Sequence, residues 1–345
     1  MIWFDLDNSP HVPLFKPVIN ELKNRNIESI ISAREYAQTI DLLELWNIKY
    51  TLIGKHAGKN KFNKIINLFG RANNLRNFIR KKKINLAVSH GSRTQVLASR
   101  ISGIKSVVMM DYEYTENRIF NYLSNYILMP AVFTENRLKD AGINIKKIIK
   151  YNGLKEEIYL KYFEPDSNFR CNNGFSDKDI IIVIRPPAFL SNYHHEKSEK
   201  ILYTAINHLS SFKDVKIVLL FRTEADKSSI LKYTEKKENI KFLNNTVDGL
   251  QLLFASDITL SGGGTMNRES ALLGTDTYSF FTGKRPFIDE FLFENKKLNF
   301  INSANDIYNI EVKRKPKSVY IHTNNSLIQE IIDIFINLIN TGAKH

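Results

Sequence analysis

Short apolar segments ending in polar or glycine-containing turns alternate with longer amphipathic segments through most of the chain, the pattern of parallel strands joined by crossover helices. In the first half, strands are expected at Ile2–Leu6, Glu28–Ala33, Leu86–His90, Ser106–Asp111 and Tyr126–Met129, with helices at Phe15–Lys23, Tyr36–Leu45 and Thr94–Ser102. The alternation weakens from Tyr151 to Asp179, where Gly153, Pro165, Gly174 and several Asn residues fall, and restarts at the run Ile180–Ile184. Val215–Phe221, Ile240–Leu243, Ile258–Leu260 and Thr277–Phe281 repeat the strand theme, and Leu327–Ile339 reads as a terminal amphipathic helix. The expected architecture is α/β, with two Rossmann-like domains of parallel sheet, residues 1–165 and 166–345, facing each other across a cleft and the terminal helix belonging to the second. Open sheets of this kind bind ligands outside the carboxyl ends of their strands, so motifs there carry most weight.

Composition narrows the class. With 43% apolar and 25% charged residues in 345, the chain has the make-up of a folded globular protein. Cys171 is the only cysteine, which excludes an intramolecular disulfide and fits a reducing compartment. The longest aliphatic runs fall far short of the roughly 20 residues that a membrane span needs. The first residues lack the pattern of a signal peptide, so a cytoplasmic protein is expected, either free or at the inner face of the membrane. The net charge of +13 has two competing sources, attraction to phosphate-bearing partners or the Lys, Asn and Ile bias of an A/T-rich coding sequence. Its sharpest concentration is residues 54–84, with ten Lys or Arg and no Asp or Glu. Phe62, Ile65, Ile66, Phe69, Ala72, Leu75, Phe78 and Ile79 recur there at helical spacing. That is an amphipathic helix for an anionic membrane surface or a core-facing helix with a solvated basic side. No recognised nucleic-acid motif accompanies the charge, so nucleic acid is the weaker partner.

The strongest chemical motif runs from Leu260 to Gly274, a strand, the triple-glycine turn Gly262-Gly263-Gly264 and a helix beginning Thr265-Met266-Asn267. Glycines let a backbone approach a ligand closely, and the N–H groups of a helix start attract phosphate oxygens. Thr265 is expected to cap that helix, and Glu269 to accept hydrogen bonds from ribose hydroxyls. A plain tight turn with a solvated glutamate is the competing reading. The second motif follows the first strand. In Asp7-Asn8-Ser9-Pro10-His11, His11 is the candidate general base, ahead of Asp7, with Asn8, Ser9 and Pro10 as substrate-binding neighbours. Helix capping by Asp7, Asn8 and Ser9 with a packed His11 competes. At two further strand ends lie His90, Ser92 and Arg93, and Asp111 with Glu113; Glu113 is a further acid–base candidate and the others suit a polyhydroxylated substrate. Arg185 and Arg222 end two strands of the second half and match a diphosphate, although surface ion pairs would look alike. The cluster His194-His195-Glu196 lacks a convincing metal-ligand set, and neither metal nor cofactor is expected.

Together Asp5-Leu6-Asp7-Asn8-Ser9-Pro10-His11-Val12-Pro13, Tyr151-Asn152-Gly153-Leu154-Lys155-Glu156, Arg185-Pro186-Pro187 and Gly262–Glu269 resemble the domain-of-unknown-function 354 family of archaea and bacteria. That family is similar to GT-B fold glycosyltransferases, including the one that adds N-acetylglucosamine to lipid-linked peptidoglycan precursors, and to UDP-N-acetylglucosamine 2-epimerases. The resemblance implies a nucleotide-sugar donor, UDP-linked by preference, held mainly by the second domain, an acceptor bound by the first, and usually no catalytic metal. By the same resemblance Gly262–Gly264 and Glu269 would hold the diphosphate and ribose, and His11 would match the loop opposite the donor. Gly274-Thr275-Asp276 departs from the Gly-Thr-Pro of many relatives. The expected function is sugar transfer to a hydroxyl in surface polysaccharide or lipid-linked glycan synthesis. The rivals are a nucleotide-sugar 2-epimerase or hydrolase, and a non-catalytic scaffold that holds membrane or nucleic acid through residues 54–84.

Overall fold

The computed structural model describes residues 1–55, 61–186, 196–221, 230–231, 234, 237–242, 248–316 and 324–341, with side chains from 66 onward in the helix that begins at 61. It divides into two units, residues 1–161 with 324–345, and residues 162–323.

The first unit holds seven strands, β1 (Ile2–Leu6), β2 (Ser29–Glu35), β3 (Thr51–Lys55), β4 (Leu86–His90), β5 (Ser106–Met109), β6 (Tyr126–Pro130) and β7 (Ile148–Tyr151). Their order is β3-β2-β1-β4-β5-β6-β7, and neighbours pair parallel. The intervening helices include α1 (His11–Asn24), α2 (Thr39–Leu45), α3 (Lys61–Ile79) and α4 (Arg93–Ile101). The period of two along β1 explains how both faces are covered. Trp3 points into a cluster with Ala72, Leu75 and Ile79 of α3 and Ala98 of α4. Phe4 points the other way, with its ring 5.2 Å from Phe15 of α1 and 6.5 Å from Phe335.

The second unit repeats the plan with β8 (Ile180–Arg185), β9 (Val215–Leu219), β10 (Ile240–Phe242), β11 (Ile258–Ser261), β12 (Asp276–Ser279) and β13 (Asn299–Phe300). The order is β10-β9-β8-β11-β12-β13, again parallel. Ile201, Leu202, Ala205 and Leu209 of the helix Glu196–Leu209 close one face over Ile182, Ile184, Ile217 and Leu260.

In each sheet the chain first runs outward and then returns beside its starting strand, so the order reverses between β1 and β4 and between β8 and β11. At such a switch point consecutive loops leave in opposite directions and open a crevice. The loops after β1 and β4 carry Asp7–His11 and Gly91–Ser92, with His90 ending β4; those after β8 and β11 begin at Pro186 and Gly262.

Three expectations are corrected. The terminal helix, Leu327–Asn340, belongs to the first unit, and the units meet at 161 and 162 instead of 165 and 166. Its stripe of Leu327, Ile328, Ile331, Ile332, Phe335 and Leu338 is buried. It is pinned there by Arg25 Nη1 to Asp333 at 2.8 Å and by the Asn152 side-chain amide donating to Glu330 at 3.0 Å. Helix α1 starts at His11, four residues before the expected Phe15, because Pro10 takes the N-cap position and Pro13 is tolerated in a first turn.

Candidate functional site

Beneath the first switch point lies a buried ion pair. Asp5 shares the Trp3 side of β1 and is fully buried. Its Oδ1 accepts from Arg71 Nη2 at 2.7 Å and Ser32 Oγ at 2.6 Å, and its Oδ2 from Arg71 Nη1 at 2.8 Å and Ser92 Oγ at 2.5 Å. Arg71 also donates to the Ile53 carbonyl at 2.8 Å and to Thr94 Oγ1. Burial pushes the Asp5 carboxyl up, but the Arg71 charge with the hydrogen bonds from Arg71, Ser32 and Ser92 outweighs it and holds the group below the ordinary aspartate range. The bidentate fork thus ties the ends of β1, β2, β3 and α4 together.

Above this base the loop after β1 places Asp7 and His11. His11 is the first residue of α1, and its Nδ1 lies 3.3 Å from Asp7 Oδ1 and 3.3 Å from the Asp7 backbone N–H. Burial holds the imidazole well below its usual value, the electrostatic influence of neighbouring His90 and Lys155 adds to that, and Asp111 opposes it. His11 is therefore neutral at pH 7. Burial also raises Asp7, against the pull of Arg34. Arg34, at the end of β2, donates to the Asp7 carbonyl at 2.8 Å.

A second imidazole stands beside the first, the rings of His11 and His90 being 5.1 Å apart. His90 Nε2 is 3.2 Å from Asp111 Oδ1, although the angle is too poor for a hydrogen bond and the nitrogen is buried without one. Lys155, just beyond β7 and almost fully buried, places its ammonium on Asp111 Oδ2 and 3.4 Å from Glu156 Oε1. The ends of β1, β2, β4, β5 and β7 thus contribute Asp7 and His11, Arg34, His90, Asp111, and Lys155.

Of the other residues singled out in the first unit, Asn8 and Ser9 shape the loop. Asn8 Oδ1 accepts from the Ser9 N–H at 3.0 Å, and Ser9 Oγ from the Gln38 N–H at 2.9 Å. Ser92 differs from expectation. It is fully buried, N-caps α4 by accepting from the Gln95 N–H, and gives its own proton to Asp5, so it supports the site from below. Arg93 is exposed at the first position of α4. Glu113 is fully buried, with Oε1 3.0 Å from Arg137 Nε, which makes it an anchor for its turn. Sequence reasoning missed Arg34, Arg71 and Lys155 as parts of this centre, although Lys155 lies in a segment already quoted for its family resemblance.

At the second switch point Arg185 and Ser261 are register partners, and the Gly262 N–H donates to the Arg185 carbonyl at 3.3 Å. Ser261 Oγ accepts from the Gly263 N–H at 3.2 Å. Gly263 and Gly264 both have φ of +97°, and a Cβ on Gly263 would stand 3.1 Å from the Phe281 side chain. Gly264, not Thr265, is the N-cap of the helix Thr265–Leu272. The first bond of that helix is given by the Asn267 N–H to the Gly264 carbonyl at 3.1 Å, so the N–H groups before it point out of the helix start. Asn267 is fully buried, and neither Oδ1 nor Nδ2 has a hydrogen-bond partner. Met266 is buried in the core side of the turn and Glu269 is half-buried. Arg222, His194 and His195 lie outside the described residues. Among the described residues no helix is long and apolar enough to cross a membrane.

A family model described as a protein of unknown function, DUF354, matches residues 1–340. An uncharacterized protein of Methanocaldococcus jannaschii is 29% identical over 315 residues, covering 89% of each chain. Among solved structures, the UDP-GlcNAc 2-epimerase of Neisseria meningitidis bound to UDP-GlcNAc superposes with a TM-score of 0.77 at 15% identity, covering 98% of this chain and 100% of that one. The Methanocaldococcus jannaschii UDP-GlcNAc 2-epimerase in complex with UDP-GlcNAc and UDP gives 0.75 at 15% identity over 98% and 99%. HepE of Anabaena, in complex with UDP and glucose, gives 0.58 at 13% identity over 99% and 89%. At these identities the likeness establishes the fold: two parallel α/β sheets of Rossmann type, as in GT-B-like proteins.

Proposed function

The chain belongs to the DUF354 family, and from that premise we propose that it is a nucleotide-sugar enzyme that moves a sugar from a UDP-sugar to a hydroxyl acceptor. The observation that carries this reading is the Asp7–His11 pair at the first switch point. In this structure Nδ1 accepts from the Asp7 backbone N–H, so the base form requires that bond to give way to Nδ1–H facing the Asp7 carboxylate 3.3 Å away, which leaves the Nε2 lone pair of a neutral His11 for the proton of an attacking hydroxyl. The hydroxyl oxygen bonds to the anomeric carbon as the bond from that carbon to the diphosphate breaks. Taken by itself, the second unit suits a diphosphate, with the helix-start amides after Gly264 and the Arg185 guanidinium as charge partners and the unpartnered Asn267 amide as a further donor and acceptor. UDP is favoured because solved structures of similar fold hold UDP or UDP-GlcNAc.

A second reading, 2-epimerisation, is favoured by the His90–Asp111 pair beside His11. Elimination and re-addition of the nucleotide need two acid–base groups where direct transfer needs one.

The test incubates the protein with UDP-, GDP-, CDP- and CMP-sugars without acceptor, and follows thermal stabilisation, products and deuterium incorporation at the sugar C2 in D2O. Stabilisation by UDP-sugars, lost in Glu269→Ala, supports the donor site. UDP release that awaits an added acceptor supports transfer, whereas an acceptor-free epimer carrying deuterium identifies the epimerase. His11→Ala should abolish turnover and keep donor binding. If no nucleotide class stabilises the protein, the nucleotide-sugar reading fails.

A further inference from the structure

Helix α3 does not present the single apolar face that its sequence suggests. Ala72, Leu75 and Ile79 are buried in the core, and Arg71 turns inward onto Asp5. Ile66 and Phe69, counted with the same apolar face by spacing, are instead 54% and 59% exposed. They open an outward stripe at three- and four-residue spacing, Ile66, Phe69, Asn73, Arg76 and Arg80, all exposed. The exposed run Lys81-Lys82-Lys83 follows at once. The stripe is apolar at one end and cationic at the other. Between 66 and 84 there is no Asp or Glu, and Arg71 is the one cation of the stretch used inside, so five cations face outward. The Lys82 ammonium stands over the Phe78 ring, 4.4 Å from its centre, and donates to the Phe78 carbonyl at 2.9 Å.

We propose that this outer face of α3, continued by Lys81–Lys83, is a docking surface for an anionic lipid bilayer. The pairing of chemistries chooses the occupant. A nucleic acid would neutralise the cations and leave Ile66 and Phe69 in water. An anionic bilayer takes both, the apolar side chains at the headgroup–acyl boundary and the guanidinium and ammonium groups at the lipid phosphates. Because Arg71 of the same helix grips Asp5, the docked helix is joined directly to the strand that carries the His11 loop. The surface is independent of whether the site performs transfer or epimerisation.

The experiment is sedimentation of the full chain with vesicles of phosphatidylcholine alone and of equal parts phosphatidylcholine and phosphatidylglycerol, over a salt series. Binding to the phosphatidylglycerol vesicles alone, falling as salt rises, is expected. Ile66→Gln with Phe69→Gln, and separately Arg76→Glu with Arg80→Glu, should each lower partitioning about tenfold or more. Lys178→Glu with Lys213→Glu, an equal charge change on exposed residues of the second unit, should leave it nearly unchanged. All substituted side chains are exposed, and far-UV circular dichroism with thermal melting confirms the fold of each variant. Failure to bind phosphatidylglycerol vesicles overturns the proposal. So does an equal loss in the Lys178/Lys213 control, which would reduce the effect to net charge. Displacement of the vesicles by single-stranded RNA, with the glutamine variant unaffected, would reassign the surface to nucleic acid.

Discussion

Asp5 and Asp7 stand two residues apart at one strand end and meet opposite fates. Asp5 is held ionised by a fork of Arg71, while Asp7, facing His11 with Arg34 3.8 Å away, is raised by burial against the pull of Arg34. Arg71→Met would leave the Asp5 carboxylate buried without its counter-ion, at a cost of about 3–5 kcal/mol in urea unfolding. Adding Asp5→Asn to that variant should recover part of the loss, because the stranded charge is then gone. Lys155 acts on His11 from a distance, its charge helping to hold the imidazole down. In Lys155→Met the His11 titration, followed by NMR of its ring protons, should move to higher pH. His11, His90 and Asp111 were legible because each ends or follows a strand that the hydrophobic pattern reveals. Arg71 was not, since nothing local marks which cation of a basic helix turns inward. Lys155 follows a strand that the pattern did not reveal.

The strands that escaped the sequence share a position. Strands β3, β7 and β13 are all sheet edges, and β3 buries only Ile53 while β7 buries only Tyr151. An edge strand has one ladder and little core contact, so it needs no continuous apolar run to mark it. Central strands such as β1 and β8 do carry that run, and they were found within a residue of their bounds. The glycine turn was visible as composition, but its division of labour was not. Gly264 has open space around a would-be Cβ, so Gly264→Ala would meet only backbone strain of about 1–3 kcal/mol. Gly263→Ala adds a clash with Phe281 to the same strain and should melt at the lower temperature of the two by calorimetry.

For the molecule as a whole, the repeated strand–helix alternation was enough to give two parallel sheets, because period and turn chemistry are local properties. The home of the terminal helix was not local. Its apolar stripe would suit any open face, and only the three-dimensional match to Phe4 and the Arg25, Asn152 and Lys105 partners assigns it to the first unit. Phe335→Ala, which removes the contact with Phe4, is expected to cost about 3–5 kcal/mol in denaturant unfolding. A probe attached to the first unit should report that loss, since this is where the cavity opens.

The return of the terminal helix also sets a schedule for synthesis. A ribosome delivers all seven strands of the first sheet and then the whole of residues 162–323 before the segment that covers Phe4 emerges. The part of the chain made first is thus the last to be finished, and the second unit, contiguous in sequence, has every residue it needs while the first still waits. Premature termination near the carboxyl end would strike the half of the protein translated earliest. A nascent chain stalled before Leu327 should expose the Phe4 face of its first sheet to chaperones.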